Sequence, residues 1–500
     1  MNFLAKHKLK ILFSLGIVIL YFSLRLPNLT LQPIFVDEAI YIRWAQVMKS
    51  EPTLRFLPLS DGKTPLFMWA MMPVFKIFDD PLLAGRFLSV VSGFFSLLGV
   101  FLLSKKIFGI KIGFWAALIY TVSPFTIFFD RMALVDSMLA AFTIWSLYFT
   151  IWLLKSQRVD LAMILGYLLG GALLTKTPAM LNILVLPISL LGFNFKQKRS
   201  NLIKLLGMWL LAIAIALIIY NLLRLGPGFN QLSSRNQDYV FTPLEILSKP
   251  WDPFLPHLRD SLDYFLKLLT WPTLIFWVIG LFKIIKEKNR LGMVILLFGL
   301  LPMFIEMAFL KTFTARYILF SIPPLLIVAG VGIDKLIQEL YRLKLQKGLT
   351  PLLPLLLLMF TTMSVNYLLL ADPQKAPLPR YERVGYFEEW TAGYGFPEIA
   401  QFLIEEKKRG PVVVGTEGYF GTLPDGLQIY LDKAGIPIIT GRGIISKELR
   451  ESAKDNKTFF VANKNRLGDL PGTKLIKEYP KAKPLNGMPQ DAIVVYQVFP

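Results

Sequence analysis

Apolar runs of close to twenty residues recur along this chain, and most are closed off by a short cluster of lysines or arginines. A helix needs about 20 apolar residues to cross the hydrocarbon of a bilayer, so each run is a candidate crossing. With 54% hydrophobic and 14% aromatic residues in 500, and a mean hydropathy of +0.53, the chain reads as a polytopic α-helical membrane protein. The formal net charge of +20 could point to nucleic acid. The basic residues, however, sit between apolar runs and not along one aromatic-interleaved face, so membrane lipids are expected as partners and nucleic acid is not.

The bias of lysine and arginine toward cytoplasmic loops orients the chain. Lys6, Lys8 and Lys10 precede the first span, which predicts a cytoplasmic N-terminus. Every second connection should then be basic, and Lys105, Lys106 and Lys111, then Lys155 and Arg158, then Lys196, Lys198 and Arg199, then Lys283, Lys286, Lys288 and Arg290, then Arg342, Lys344 and Lys347 fit that alternation. About eleven spans satisfy it: 9–24, 82–103, 112–129, 134–154, 161–174, 179–193, 202–223, 262–281, 291–309, 317–336 and 351–370. The stretch Pro65 to Phe78 is apolar but short and lies between Pro65 and Asp79-Asp80, which predicts a re-entrant or interfacial helix. The expected organisation is a membrane domain over 1–370, with a first outer loop at 26–81, and a soluble extracytoplasmic domain over 371–500.

Past Leu370 the pattern changes. Prolines at 373, 377 and 379 interrupt it, and short β-branched runs (Val412 to Val414, Ile436 to Ile439, Phe459 to Val461, Ile493 to Tyr496) alternate with helix-like stretches at 397–408 and 446–454. That alternation predicts a small α/β domain with a partly parallel sheet. The chain has no cysteine, so disulfides, thiol chemistry and Cys-based metal sites are excluded.

The candidate functional residues gather on the expected outer face of the cell membrane. Asp37 and Glu38 adjoin each other in the first outer loop. In a helix Asp37 and Tyr41 share a face while Glu38 points about 100° away, so one acid should lead and the other support. An acid that caps a helix start is the plainer reading of Asp37. Arg131 and Asp136 lie at the outer end of a span, where snorkelling and capping are the plainer readings. Lys63, Lys176 and Arg316-Tyr317 add cations on a face that the topological bias should leave poor in them, although Arg and Tyr also serve as interface anchors. Carboxylates suit deprotonation of a hydroxyl, cations suit a phosphate leaving group, and apolar walls suit a lipid tail. A lipid-linked sugar flippase or a solute transporter would also bury charges among helices, but it should show inverted repeats and a midplane cluster, and the sequence has neither.

These residues carry a resemblance. Asp37-Glu38-x-x-Tyr41, Lys63-Thr64-Pro65-Leu66 before Phe67-Met68-Trp69, Arg131-x-x-x-x-Asp136, Gly171 to Pro178 around Lys176, and Arg316-Tyr317 before Pro323-Pro324 together resemble the GT-C membrane glycosyltransferases of the protein O-mannosyltransferase and aminoarabinose-transferase-like group, over roughly 9–334. The resemblance implies a GT-C fold and inverting transfer of a sugar from a polyprenyl-phosphate donor to a glycan, lipid or protein acceptor. It implies Asp37 as the base, Glu38 as orienting the acceptor or the loop, Lys63, Arg131 and Arg316 as phosphate-binding cations, and Asp136 as a second acid that positions a catalytic group or helps hold a metal. Tyr41, Lys176 and Tyr317 would support them. Lys63-Thr64-Pro65 departs from the more usual Lys-Pro-Pro, and the Trp-Trp-Asp-Tyr-Gly signature of oligosaccharyltransferases is absent. No cofactor is implied with certainty. A divalent metal supported by histidine would have to use His257, since His7 lies on the other side.

Overall fold

The computed structural model describes residues 3–196, 198–343, 349–441 and 443–500. Lys344 and Lys347, and the side chains of Lys6 and His7, lie outside what it describes. The chain divides into two compact units: 1–27, 56–67 and 87–377 form the first, and 28–55, 68–86 and 378–500 form the second.

The first unit is a bundle of apolar helices. By length and composition, six helices among the described residues can cross a membrane: Pro81–Phe108, Val135–Ser156, Arg199–Leu225, Arg290–Phe309, Ala315–Arg342 and Leu352–Ala371. Two bent pairs, Ile110–Val122 with Pro124–Asp130 and Phe254–Leu269 with Trp271–Lys286, raise the number to eight if each is one crossing. The other three expected spans fall on the helix Phe3–Ser23 and on the shorter apolar segments Val159–Thr175 and Thr177–Gly192. The run 262–281, expected as one span, falls on the pair Phe254–Leu269 and Trp271–Lys286, which turns by 109°. Thr270 there has φ +69°, and Pro272 in the first turn of the following helix cannot extend the preceding one. The apolar stretch after Pro65 forms the helix Leu66–Val74, which at 9 residues is far too short to cross.

Burial sorts these helices. Ala315–Arg342 is almost wholly enclosed, whereas Arg199–Leu225 and Leu352–Ala371 are largely exposed apolar surface, as lipid-facing helices are. Small residues allow the tightest crossing. A Cβ on Gly332 would lie 1.7 Å from the Phe276 carbonyl oxygen, and one on Gly280 would lie 2.0 Å from that of Val328, so these two helices meet backbone to backbone.

The second unit is built on a five-stranded sheet in the order β4-β3-β5-β7-β6, with β3 Val412–Glu417, β4 Ile438–Gly441, β5 Lys457–Asn463, β6 Thr473–Pro480 and β7 Ala492–Val498. β3 runs parallel to β4 and β5, while β5–β7 and β6–β7 are antiparallel, which is the partly parallel sheet expected. β6 is the strand that sequence missed, because its charged residues and mostly exposed or half-buried positions hide the apolar pattern. A second ladder joins β1 (Ile34–Phe35) to β2 (Ala392–Gly393), so segments of the first loop share this unit. The Gly393–Phe396 stretch is a turn: Gly393 lies in β2, and Gly395 has φ +71° before the helix Phe396–Lys407.

Candidate active site

In the second unit the two adjacent acids have unequal surroundings. The chain enters the helix Val36–Ser50 directly from β1, with the Val36 amide bonded to the Thr391 carbonyl. Glu38, in the first turn, accepts a 2.9 Å hydrogen bond from the Phe35 amide and so completes the helix start. Arg86 donates to Glu38 and also to the carbonyls of Leu29, Gln32 and Pro33, at 2.8 to 3.1 Å. Glu38 and Arg86 therefore fix the path of the loop that leads to Asp37, which is half-buried. Tyr41 is buried with its ring 6.0 Å from that of Trp44. The same helix packs on Thr422–Leu431, where Arg43 pairs with Asp432 at 2.5 Å and Gln46 donates to the Ile429 carbonyl.

In the first unit Asp136 and Lys176 come together. Asp136 lies in the first turn of Val135–Ser156 and Lys176 caps the C-terminus of Val159–Thr175, so each charge suits its helix dipole. The Lys176 ammonium donates to Asp136 Oδ1 at 2.6 Å and lies 4.4 Å from the centre of the Tyr317 ring. The Arg316 guanidinium is 5.2 Å from the same ring centre. Glu306, a residue the sequence reading passed over, is buried in Arg290–Phe309 close enough to interact electrostatically with Lys176 and Asp136. Its signal was a lone carboxylate inside an apolar span.

A buried network around Asp130 sets the turn that leads to Asp136. Arg25 donates through Nε to Asp130 at 3.0 Å, and through its other nitrogens to the Thr121 carbonyl and the Thr126 hydroxyl. Tyr120 reaches Asp130 at 3.3 Å, and Ser137 ties it to the start of the next helix at 2.9 Å. Gly93 leaves the necessary space, since a Cβ there would lie 2.3 Å from Asp130 Oδ2. Arg131 is almost wholly buried, and its Nη1 donates to the carbonyls of Arg25 and Pro27. The Lys63 ammonium lies 4.7 Å from the centre of the Tyr239 ring, and no hydrogen bond joins it to the Asp136–Lys176 pair. Among the described residues no three His, Asp or Glu side chains converge as metal ligands, and His257 Nδ1 is 2.8 Å from the Met307 carbonyl oxygen. The pairing of Asp136 with an ammonium suits a metal poorly, because Lys176 already neutralises it.

Comparison with known proteins agrees with this architecture. The family described as dolichyl-phosphate-mannose-protein mannosyltransferase matches residues 62–223. Among solved structures, ArnT from Cupriavidus metallidurans in the apo state covers 98% of both chains at 14% identity with a TM-score of 0.58. The same protein bound to undecaprenyl phosphate covers 98% of both at 15% identity, TM-score 0.55. The archaeal oligosaccharyltransferase AglB from Archaeoglobus fulgidus, in complex with an inhibitory peptide and a dolichol-phosphate, covers 99% of this chain and 76% of its own at 12% identity, TM-score 0.55. No curated protein matches the sequence significantly. The chain is a membrane protein with the GT-C glycosyltransferase fold, similar to the protein mannosyltransferase and aminoarabinose-transferase-like group.

Proposed function

We propose that this protein transfers a sugar from a polyprenyl-phosphate donor to an acceptor hydroxyl or amine on the outer face of the cytoplasmic membrane, with inversion. The division of labour between the two first-loop acids carries the reading: Glu38, held by Arg86 and the Phe35 amide, has a structural role that fixes the helix start, and Asp37 beside it is assigned the chemistry. In this reading Asp37 takes the acceptor proton as the acceptor atom bonds to the anomeric carbon, and the bond from that carbon to the phosphate oxygen breaks. The released polyprenyl phosphate carries the negative charge, which Lys63, Arg131 and Arg316 would stabilise. A positioned base contributes roughly 10² to 10⁴-fold, and fixed cations commonly contribute more. Asp136 and Lys176 form the second charged element. The N-terminus is proposed as cytoplasmic and the C-terminal domain over 371–500 as extracytoplasmic.

The ArnT structure with undecaprenyl phosphate and the AglB structure with dolichol-phosphate support a lipid-phosphate donor, and the latter's bound peptide keeps a protein acceptor in view. The test incubates purified protein with a panel of polyprenyl-phosphate sugars and candidate acceptors, following donor cleavage and glycosylated product by mass spectrometry. Transfer by the wild type and its loss in Asp37→Asn are expected. Full transfer by that variant would remove Asp37 as base, and failure to consume any donor would remove the enzyme reading.

A further inference from the structure

Glu306 has no part in the roles set out above, yet it stands near the end of an apolar helix with only 6% of its surface exposed. A carboxylate in such a place is costly unless something donates to it. Lys176 is the nearby cation and its hydrogen bond goes to Asp136 Oδ1. One buried oxygen on each acid, Asp136 Oδ2 and Glu306 Oε2, has no hydrogen-bond partner among the described residues. A second buried carboxylate thus lies within electrostatic reach of the Asp136–Lys176 pair, and one buried acceptor on each acid lacks a donor.

The chemistry of a complement follows from that imbalance. A phosphate would bring further acceptors and negative charge, so it belongs with the cations. A hydroxylated sugar ring brings O–H donors at short spacing and no charge. We infer that Glu306, together with Asp136, accepts hydrogen bonds from ring hydroxyls of the donor's sugar, making Glu306 a specificity-determining residue for that sugar. The inference rests on the proposed lipid-phosphate sugar donor and names the residue that reads its sugar.

The test compares binding of two lipids to detergent-purified protein: a polyprenyl-phosphate sugar that the wild type cleaves, and the same polyprenyl phosphate without sugar. Glu306→Gln keeps the side chain's size and removes its charge. It should weaken binding of the sugar-bearing lipid by on the order of tenfold to a hundredfold, as expected for loss of hydrogen bonds to a charged acceptor. Affinity for the sugar-free lipid should stay within about twofold, the room left for solvent and packing changes. Equal weakening of both lipids would assign Glu306 a purely structural role and overturn the inference, as would no change in either. If Glu306→Gln does not purify as a folded protein, Glu306→Asp, which keeps the charge but withdraws the carboxylate, is read by the same two lipids. A wild type that cleaves no donor defeats the proposed function itself; a wild type that cleaves donor beside a variant that still discriminates normally defeats this inference alone.

Discussion

Arg86 donates to both oxygens of Glu38, Nε to Oε1 and Nη2 to Oε2, each at 2.8 Å, with both side chains wholly buried. Removing one partner of such a pair leaves an uncompensated charge. Arg86→Met should therefore destabilise the protein by about 3–5 kcal/mol. Thermal unfolding in detergent checks this, with Asp37→Asn as the control expected to melt close to wild type.

Activity should respond in the opposite order. Asp37→Asn should lower kcat by roughly 10² to 10⁴-fold without lowering the melting temperature. Lys63→Met, which keeps the length of the chain and removes its charge, should lower donor turnover by at least a comparable factor if it meets the leaving phosphate. Initial rates with saturating and limiting donor separate the two effects.

Asp136 and Lys176 contact each other, so their substitutions should not add. A double-mutant cycle with Asp136→Asn and Lys176→Met should give a coupling energy within about 0.5–3 kcal/mol. Thermal stability of the two single variants and the double variant measures it, and a coupling near zero would contradict the 2.6 Å hydrogen bond.

The meeting of Gly280 and Gly332 leaves no room for a methyl group. Gly332→Ala should push the two helices apart and lower stability by about 1–3 kcal/mol, despite the better helix propensity of alanine. A rise in melting temperature would contradict the close crossing.

Asp425, in the second unit, has its pKa raised to about 6, chiefly by burial, with the Gly421 amide and the charge of Arg43 opposing the shift. The unfolded chain gives up this proton near pH 4, so between pH 4 and 6 the folded state holds the proton more tightly and stability falls as pH rises. Above pH 6 the full penalty persists, roughly 3 kcal/mol. Asp425→Asn, whose carbonyl can still accept from Gly421, should raise the melting temperature at pH 7.5 and change it little at pH 4. Melting curves of both proteins across that range test the sign.

Much of this arrangement was legible in the sequence, where one local pattern decided the matter. The long apolar runs marked the membrane helices, and β-branched runs such as Val412 to Val414 marked the central strands. The inequality of Asp37 and Glu38 followed from helical geometry, but its cause did not, because Arg86 lies 48 residues from Glu38. Arg25 and Asp130 were hidden for the same reason, since their pairing depends on helices whose packing no local pattern specifies. Glu306 was visible as a lone acid but had no assigned company until Lys176 and Asp136 were brought to it. The bend at Thr270 depends on one residue's positive φ, which hydropathy does not register.

The pairing of β1 with β2 also has a consequence for biosynthesis. Residues 34–35, immediately before Asp37, find their strand partner only in residues 392–393. At ~5–20 residues per second, a ribosome takes on the order of tens of seconds to make the chain between them. Throughout that interval the segment bearing Asp37 lacks its final ladder, and a nascent chain arrested before residue 392 cannot complete it.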